Sequence, residues 1–223
     1  MLPAMASSAP RLSVCTIARD AAATLGDTLA SVRDIAHEML VTDTGSTDPT
    51  ARIAATAGAQ VDHLPWADSF SAALNHVMGR ATGDWLLILD SDETLMPHSV
   101  AAVRDILVHG GVFAATLLRR DLADAADRSR FSRMRQLRLV RNDPQVRYTG
   151  RIHQQFVPSL TELAKARGLV VTDCDAEIEH LGFTGDKPQA KLERSARLME
   201  MELRDRPGQF YFHVELGLSL IHI

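Results

Sequence analysis

Cysteine is scarce, with two in 223 residues. Cys15 and Cys174 both fall in apolar, strand-like runs, so they read as buried thiols of a reducing compartment, not as a disulfide framework or a zinc site. No apolar run approaches the roughly 18 residues of a membrane span. Residues 1–10 lack the basic start of a secretory signal, and cytoplasm is the expectation. No Gly-x-Gly-x-x-Gly follows the first strand-like run, which argues against a dinucleotide-dependent oxidoreductase. Lysine is absent between Arg119 and Arg151, where ten arginines stand against four aspartates; the net charge of −4 therefore hides a segment of +6. Arginine without lysine favours bidentate anion recognition over a diffuse basic surface. Aromatics are too few there, Phe131 and Tyr148 alone, for the stacking that single-stranded nucleic acids require, so a nucleic-acid-binding module is the weaker alternative.

What the chain does contain is alternation. Strand-like runs at Leu12–Ile17, Glu38–Thr42, Gln60–Leu64 and Trp85–Leu89 alternate with amphipathic stretches at Thr24–Val32, from Pro49 to Ala57, and at Phe70–Arg80. Asp48 is placed as an N-cap with Pro49 behind it, and Gly58 as a helix stop. Such spacing predicts βαβ units and a mostly parallel sheet flanked by helices. A helix over Pro97–His109 and a strand over Val112–Leu118 follow, then short extended pieces (Met134–Val140, Val146–Tyr148, Leu169–Cys174, Glu177–His180). Helices are predicted over Lys187–Arg204 and from Phe210 to Leu220. The second stops without a cap, so a C-terminal helical extension that looks truncated is expected, in composition like the start of a helical-repeat tail. The predicted organisation is one domain in two halves, 11–110 and 111–182, followed by C-terminal helices over 183–223.

The most informative stretch is Trp85 to Glu93. A continuous apolar run of strand length reads as a strand buried on both faces, and it ends on Asp90-Ser91-Asp92. In an extended chain Asp90 and Asp92 share one side and Ser91 takes the other. Carboxylates at the carboxyl end of a buried strand lie where open α/β sheets bind ligands, and hard oxygen donors suit Mg²⁺ or Mn²⁺ with a diphosphate. The ends of the first two strands, Ala18-Arg19-Asp20 and Asp43, face the same edge.

With these pieces in order, the sequence resembles the family-2 glycosyltransferases of GT-A fold, and within them the lipooligosaccharide β-1,4-glucosyltransferase-like group. The pieces are Leu12–Asp20, Val41–Asp48, Pro65–Ala73, Ala81–Glu93, Arg138–Asp143 and Gly150–His153. The resemblance implies inverting transfer of a sugar from a nucleotide diphosphate sugar, UDP-linked, to a glycan or lipid-linked acceptor of cell-envelope polysaccharide biosynthesis. It implies donor contacts from Ala18, Arg19, Asp20, Asp43, Gly45, Ser46, Asn75, Ser91 and Arg151. The metal would be held by Asp90 and Asp92, and 11–110 becomes the nucleotide-sugar-binding half with 111–182 the acceptor-side half. From its place after the strand-like Glu177–Glu179, His180 could reach the metal as a third ligand; for it and for His153 a purely structural role is the other reading. Arginines of the 133–151 segment would add positive charge near the leaving group.

The sequence departs from the family pattern at three points. Leu74 stands where an arginine is usual, and Arg19-Asp20-Ala21 where Lys-Asn-Glu is usual. Gln154 follows Gly150-Arg151-Ile152-His153 where the family has the glutamate that acts as base. The catalytic pair is therefore His153 and Gln154, the proton going either to His153 or to another carboxylate, and a catalytically weak nucleotide-sugar-binding protein is the main alternative. Trp66 and Phe70 are expected in the core, with an acceptor wall as the other reading. No nucleic-acid partner is expected; peripheral membrane contact through further C-terminal residues stays open.

Overall fold

The computed structural model describes residues 9–124, 126–181 and 188–208. Four parallel strands form its first half: β1 (Leu12–Ala18), β2 (Glu38–Asp43), β3 (Gln60–His63) and β4 (Trp85–Ile88). Helices α1 (Leu25–Val32), α2 (Thr50–Thr56) and α3 (Phe70–Gly79) connect them. The central strands are largely apolar and buried because both faces are covered: α1 packs Leu25, Leu29 and Val32 on one side, α3 packs Leu74, Val77 and Met78 on the other. Gly83 precedes β4 where a Cβ would meet Ser13 Oγ at 2.6 Å and the Arg11 carbonyl at 2.8 Å, so only glycine lets the chain enter β4 here.

After β4 come β5 (Glu93–Leu95), a 3₁₀ turn at Pro97–Ser99 and α4 (Val100–Val108). A long antiparallel hairpin follows, β6 (Val112–Leu122) and β7 (Phe131–Arg141). Then come β8 (Tyr148–Thr149), β9 (Gln155–Phe156), α5 (Leu160–Ala166), β10 (Val170–His180) and α6 (Pro188–Asp205). The main sheet runs β3-β2-β1-β4-β7-β6-β10-β5, so β7, antiparallel to β4, joins both halves into one sheet.

Several expectations are corrected. The arginine-rich segment is mostly the β6–β7 hairpin, whose cross-strand pairs are visible only once the strands meet. The two late strands are a single β10 with a register irregularity between Asp173 and Glu177. Helix α5, with its Ser159–Glu162 capping box, was not anticipated. Pro49, not Asp48, is the N-cap of α2, although Asp48 Oδ1 still accepts the Thr50 N–H at 3.0 Å. The expected helix from Phe210 to Leu220 lies outside the described residues. Among the described residues, no helix is long and apolar enough to cross a membrane.

Candidate active site

A cavity of about 910 Å³ opens at the carboxyl ends of β1 and β4. Ala18 and Arg19 line it from the end of β1, Thr44 from the end of β2, and Asp90, Ser91 and Asp92 from the end of β4. Residues 89–92 are no longer strand. The Glu93 N–H donates to the Asp90 carbonyl at 3.1 Å, closing a turn that brings all three residues of Asp90-Ser91-Asp92 to the cavity, Ser91 included. The alternation expected of an extended chain is thereby replaced. The Ser91 carbonyl is held from behind by the hydroxyls of Thr24, the N-cap of α1 (2.8 Å), and of Thr28 within that helix (3.1 Å), which anchors the turn to the scaffold.

The acidic turn is held by buried cations. Arg138, on β7 and 8% exposed, donates Nη2 to Asp90 Oδ2 at 2.9 Å and also to Glu93, whose side chain is fully screened from solvent. Glu93 Oε2 in turn accepts the Asp90 N–H at 3.0 Å, and Arg119 stands 3.8 Å from its other oxygen. Burial and the neighbouring Asp90 push the Glu93 carboxyl up to about 7, against the opposing pull of Arg138. For Asp90 the balance is reversed: burial would raise its carboxyl, but Arg138 overrides that and holds it below the usual carboxylate range. Glu93 and the specific roles of Arg119 and Arg138 were missed in the sequence. The only signal was an acid directly behind Asp92.

On the same wall His180, at the end of β10, has Nδ1 2.6 Å from Asp121 Oδ1 and Nε2 3.6 Å from Asp92 Oδ2. Burial works against the imidazolium, but Asp92 and Asp121 prevail and raise its pKa. The sequence-predicted trio of Asp90, Asp92 and His180 thus shares one wall. Among the described residues no three such side chains stand in a ready-made metal cluster. Two carboxylates and an imidazole are nonetheless a donor set that fits Mg²⁺ or Mn²⁺.

The other candidates divide. His153 and Gln154 line the cavity, His153 with a backbone φ of 48°. Among the described residues, no carboxylate other than Asp90 and Asp92 lines the cavity. Asp43, Gly45, Ser46 and Asp20 form a bracket behind Thr44. Asp43 Oδ1 accepts the N–H groups of Gly45 (3.1 Å) and Ser46 (2.8 Å), with Gly45 at φ 104°. The Asp20 N–H donates to Ser46 Oγ at 2.9 Å, and Thr47 N–H bonds hold the exposed Asp20 carboxyl below its ordinary range. Asn75 is put to a different use from the one expected: Oδ1 and Nδ2 both bind the Tyr148 backbone, at 2.9 and 2.8 Å. Arg151 likewise turns away from the cavity, with its guanidinium on Asp205 and the Asp68 carbonyl. Of the arginines from 133 to 151, only Arg138 lines the cavity.

Helix α6 forms the remaining wall. Its Leu198 and Met199 pack on Ile152, Trp66 and Phe70, and Arg194 and Ser195 reach the cavity. Trp66 and Phe70 therefore serve both as packing residues and as cavity wall, not as core alone. Leu74 is buried in the sheet–α3 core and points at no ligand space.

An open α/β sheet with its cavity at the strand ends, walled by carboxylates and arginines, defines the class: a GT-A-like fold. Residues 13–158 match the family model described as glycosyl transferase family 2, and the chain belongs to that family. A TPR repeat-containing protein of Synechococcus elongatus is 37% identical over 95% of this chain and 52% of its own length. An uncharacterized glycosyltransferase of Rickettsia prowazekii is 34% identical over 38% of this chain and 29% of its own. The chain thus spans about half or less of the length of these curated relatives. Among solved structures, glucosyl-3-phosphoglycerate synthase from Mycobacterium tuberculosis in complex with Mn²⁺ and UDP-glucose superposes with a TM-score of 0.56 at 18% identity, over 86% of this chain and 78% of that one. S. aureus TarS 1-349 in complex with UDP gives 0.58 at 12% identity, over 94% and 70%. At such identities the likeness is one of fold.

Proposed function

We propose that this domain transfers a sugar, with inversion, from a UDP-linked donor to a hydroxyl of a glycan or lipid-linked acceptor. The observation that carries the reading is the acidic turn at the strand ends: Asp90 and Asp92 share one cavity wall with His180, and Arg119 and Arg138 stand behind them. A divalent ion held there favours a diphosphate ligand. Glucosyl-3-phosphoglycerate synthase and TarS, by their descriptions, bind UDP-glucose or UDP on the same fold. Asp90, Asp92 and His180 would hold a divalent ion, which when bound neutralises charge on the departing diphosphate. Arg138 and Arg119 fix the acidic turn and add positive charge behind it. The acceptor oxygen forms a bond to the anomeric carbon as the bond to the UDP oxygen breaks, that electron pair leaving with UDP. The acceptor proton goes to a base on the cavity wall, and His153 is the group we assign, since Gln154 cannot take a proton.

A catalytically weak nucleotide-sugar-binding protein is the second reading, favoured by Gln154 and by Leu74, whose burial leaves it no phosphate contact. Calorimetric titration of UDP with and without Mn²⁺ tests the donor site. Metal-dependent binding that falls at least tenfold in Asp92→Asn supports it, and equal, metal-independent affinity in both proteins rejects it. A transfer assay then separates the two readings.

A further inference from the structure

The arginines of the cavity fall into two groups. Arg119 and Arg138 are paired with Asp121, Asp90 and Glu93. Arg194 is not: among the described residues it has no carboxylate partner, and its neighbour Arg197 is already held by both oxygens of Asp68, at 2.6 and 2.8 Å. The other cation at this end is Arg19, whose contact with Asp20 is a loose 4.0 Å. Partial burial and the like charges of Arg19 and Arg197 hold the Arg194 guanidinium below the usual arginine range. Arg194 is exposed to the cavity and stands near two like charges with no carboxylate of its own among the described residues, so an anion there is favoured.

Beside this cation stands an apolar wall. The Arg194 guanidinium carbon lies 5.8 Å from the centre of the Phe70 ring, and Phe70 meets Trp66 edge-on, with centroids 5.0 Å apart. Both rings line the cavity. The Trp66 ring beside a guanidinium that has no carboxylate partner among the described residues suits a pyranose carrying an acid: the sugar's C–H face lies on Trp66 while the acid reaches Arg194 and Arg19. The donor diphosphate would be answered by the divalent ion that Asp90, Asp92 and His180 would hold, so this second pair is left for the other substrate.

Resting on the donor reading above, we infer that the acceptor is a sugar bearing an acidic substituent, a carboxylate or a phosphate, recognised by Arg194 and Arg19 beside the Phe70–Trp66 wall. The test is calorimetry on the whole chain saturated with UDP and Mn²⁺, titrated with methyl glucoside, methyl glucuronide and glucose 6-phosphate. The acidic sugars should bind at least tenfold tighter than the neutral one, and whichever is tighter tells carboxylate from phosphate. Arg194→Ala should remove that preference and Arg194→Lys restore part of it, whereas Phe70→Leu should weaken neutral and acidic sugars alike. Equal binding of neutral and acidic sugars, or a preference unchanged in Arg194→Ala, overturns the inference while the donor site stands. So does acidic-sugar binding seen only without UDP, which would assign the arginines to the donor. Failure of UDP to bind wild type would overturn the donor reading and this inference with it.

Discussion

Glu93 and Arg138 form an ion pair in which the carboxylate has no exposure to solvent and the guanidinium 8%. The same guanidinium holds Asp90, and the same carboxylate accepts the Asp90 N–H, so the geometry of the cavity's first acid is set by a pair reaching it from β5 and β7. The pair matters less for the stability it adds than for what its absence would leave behind.

Removing one partner strands the other. Arg138→Met should destabilise the fold by about 3–5 kcal/mol, because Glu93 is left buried with only Arg119, 3.8 Å away, to answer it. At roughly 2–4 °C per kcal/mol for a domain of this size, the melting temperature should fall by about 10 °C. The double variant Arg138→Met with Glu93→Met should recover most of that loss, since a buried pair replaced by apolar groups is often neutral. It should not recover UDP binding, because Asp90 has lost its anchor. Thermal unfolding and calorimetry on the two variants check both halves. Full recovery of UDP affinity in the double variant would contradict the anchoring role.

Asn75 predicts an effect on stability, not on donor contact. Its amide satisfies both the N–H and the carbonyl of Tyr148, whose ring stacks on Phe156 with centroids 4.0 Å apart at the cavity wall. Asn75→Ala should cost about 1–3 kcal/mol through the unsatisfied backbone groups it leaves. Asn75→Asp, which keeps only the acceptor, should behave similarly. Both are read as a fall in melting temperature, and an unchanged midpoint would contradict this role.

Cys15 carries a pH dependence. Burial, with Glu38 nearby, pushes its thiol from 9.0 up to about 12. Above pH 9 the unfolded chain loses this proton while the folded chain keeps it. Stability should therefore decline as pH rises from 9 towards 12, by about 1.4 kcal/mol per unit from this group. Cys15→Ala should be less stable at neutral pH but show a shallower alkaline decline in denaturant titrations. Iodoacetamide at pH 9 should label Cys15 in the native protein only as fast as it unfolds.

The parallel half was legible because its signals are local: apolar runs, caps and turn glycines along one stretch of chain. Strands β1 to β4 fall within a residue or so of expectation for that reason. The second half was not, because its order comes from pairing across distance. Arg119 faces Met134, and Arg138 meets Glu93, only after β6, β7 and β4 are side by side. The site shows the same division. Asp90, Asp92, His153 and Gln154 could be named from motifs, whereas Glu93 and Arg194 acquire meaning from what packs against them. Asn75 and Arg151 belong to matching motifs, yet their polar atoms are occupied by Tyr148 and Asp205.

The last prediction concerns the base. Among the described residues no carboxylate besides Asp90 and Asp92 lines the cavity, and His153 is the group assigned to take the acceptor proton. A positioned base contributes about 10²–10⁴-fold, so His153→Ala should lower turnover by an amount in that range while UDP binding stays intact. Gln154→Glu places a carboxylate on the same wall one residue along. Combined with His153→Ala it should restore a measurable part of the lost rate, and the pH profile should move to lower pH, since a carboxylate titrates below an imidazole. Turnover is to be measured at saturating donor and acceptor, so that altered binding cannot imitate the result. If His153→Ala transfers at the wild-type rate, the proton goes elsewhere and the assignment fails. If the single variant is dead and the double variant equally so, Gln154 does not face the acceptor hydroxyl, and only the role of His153 survives.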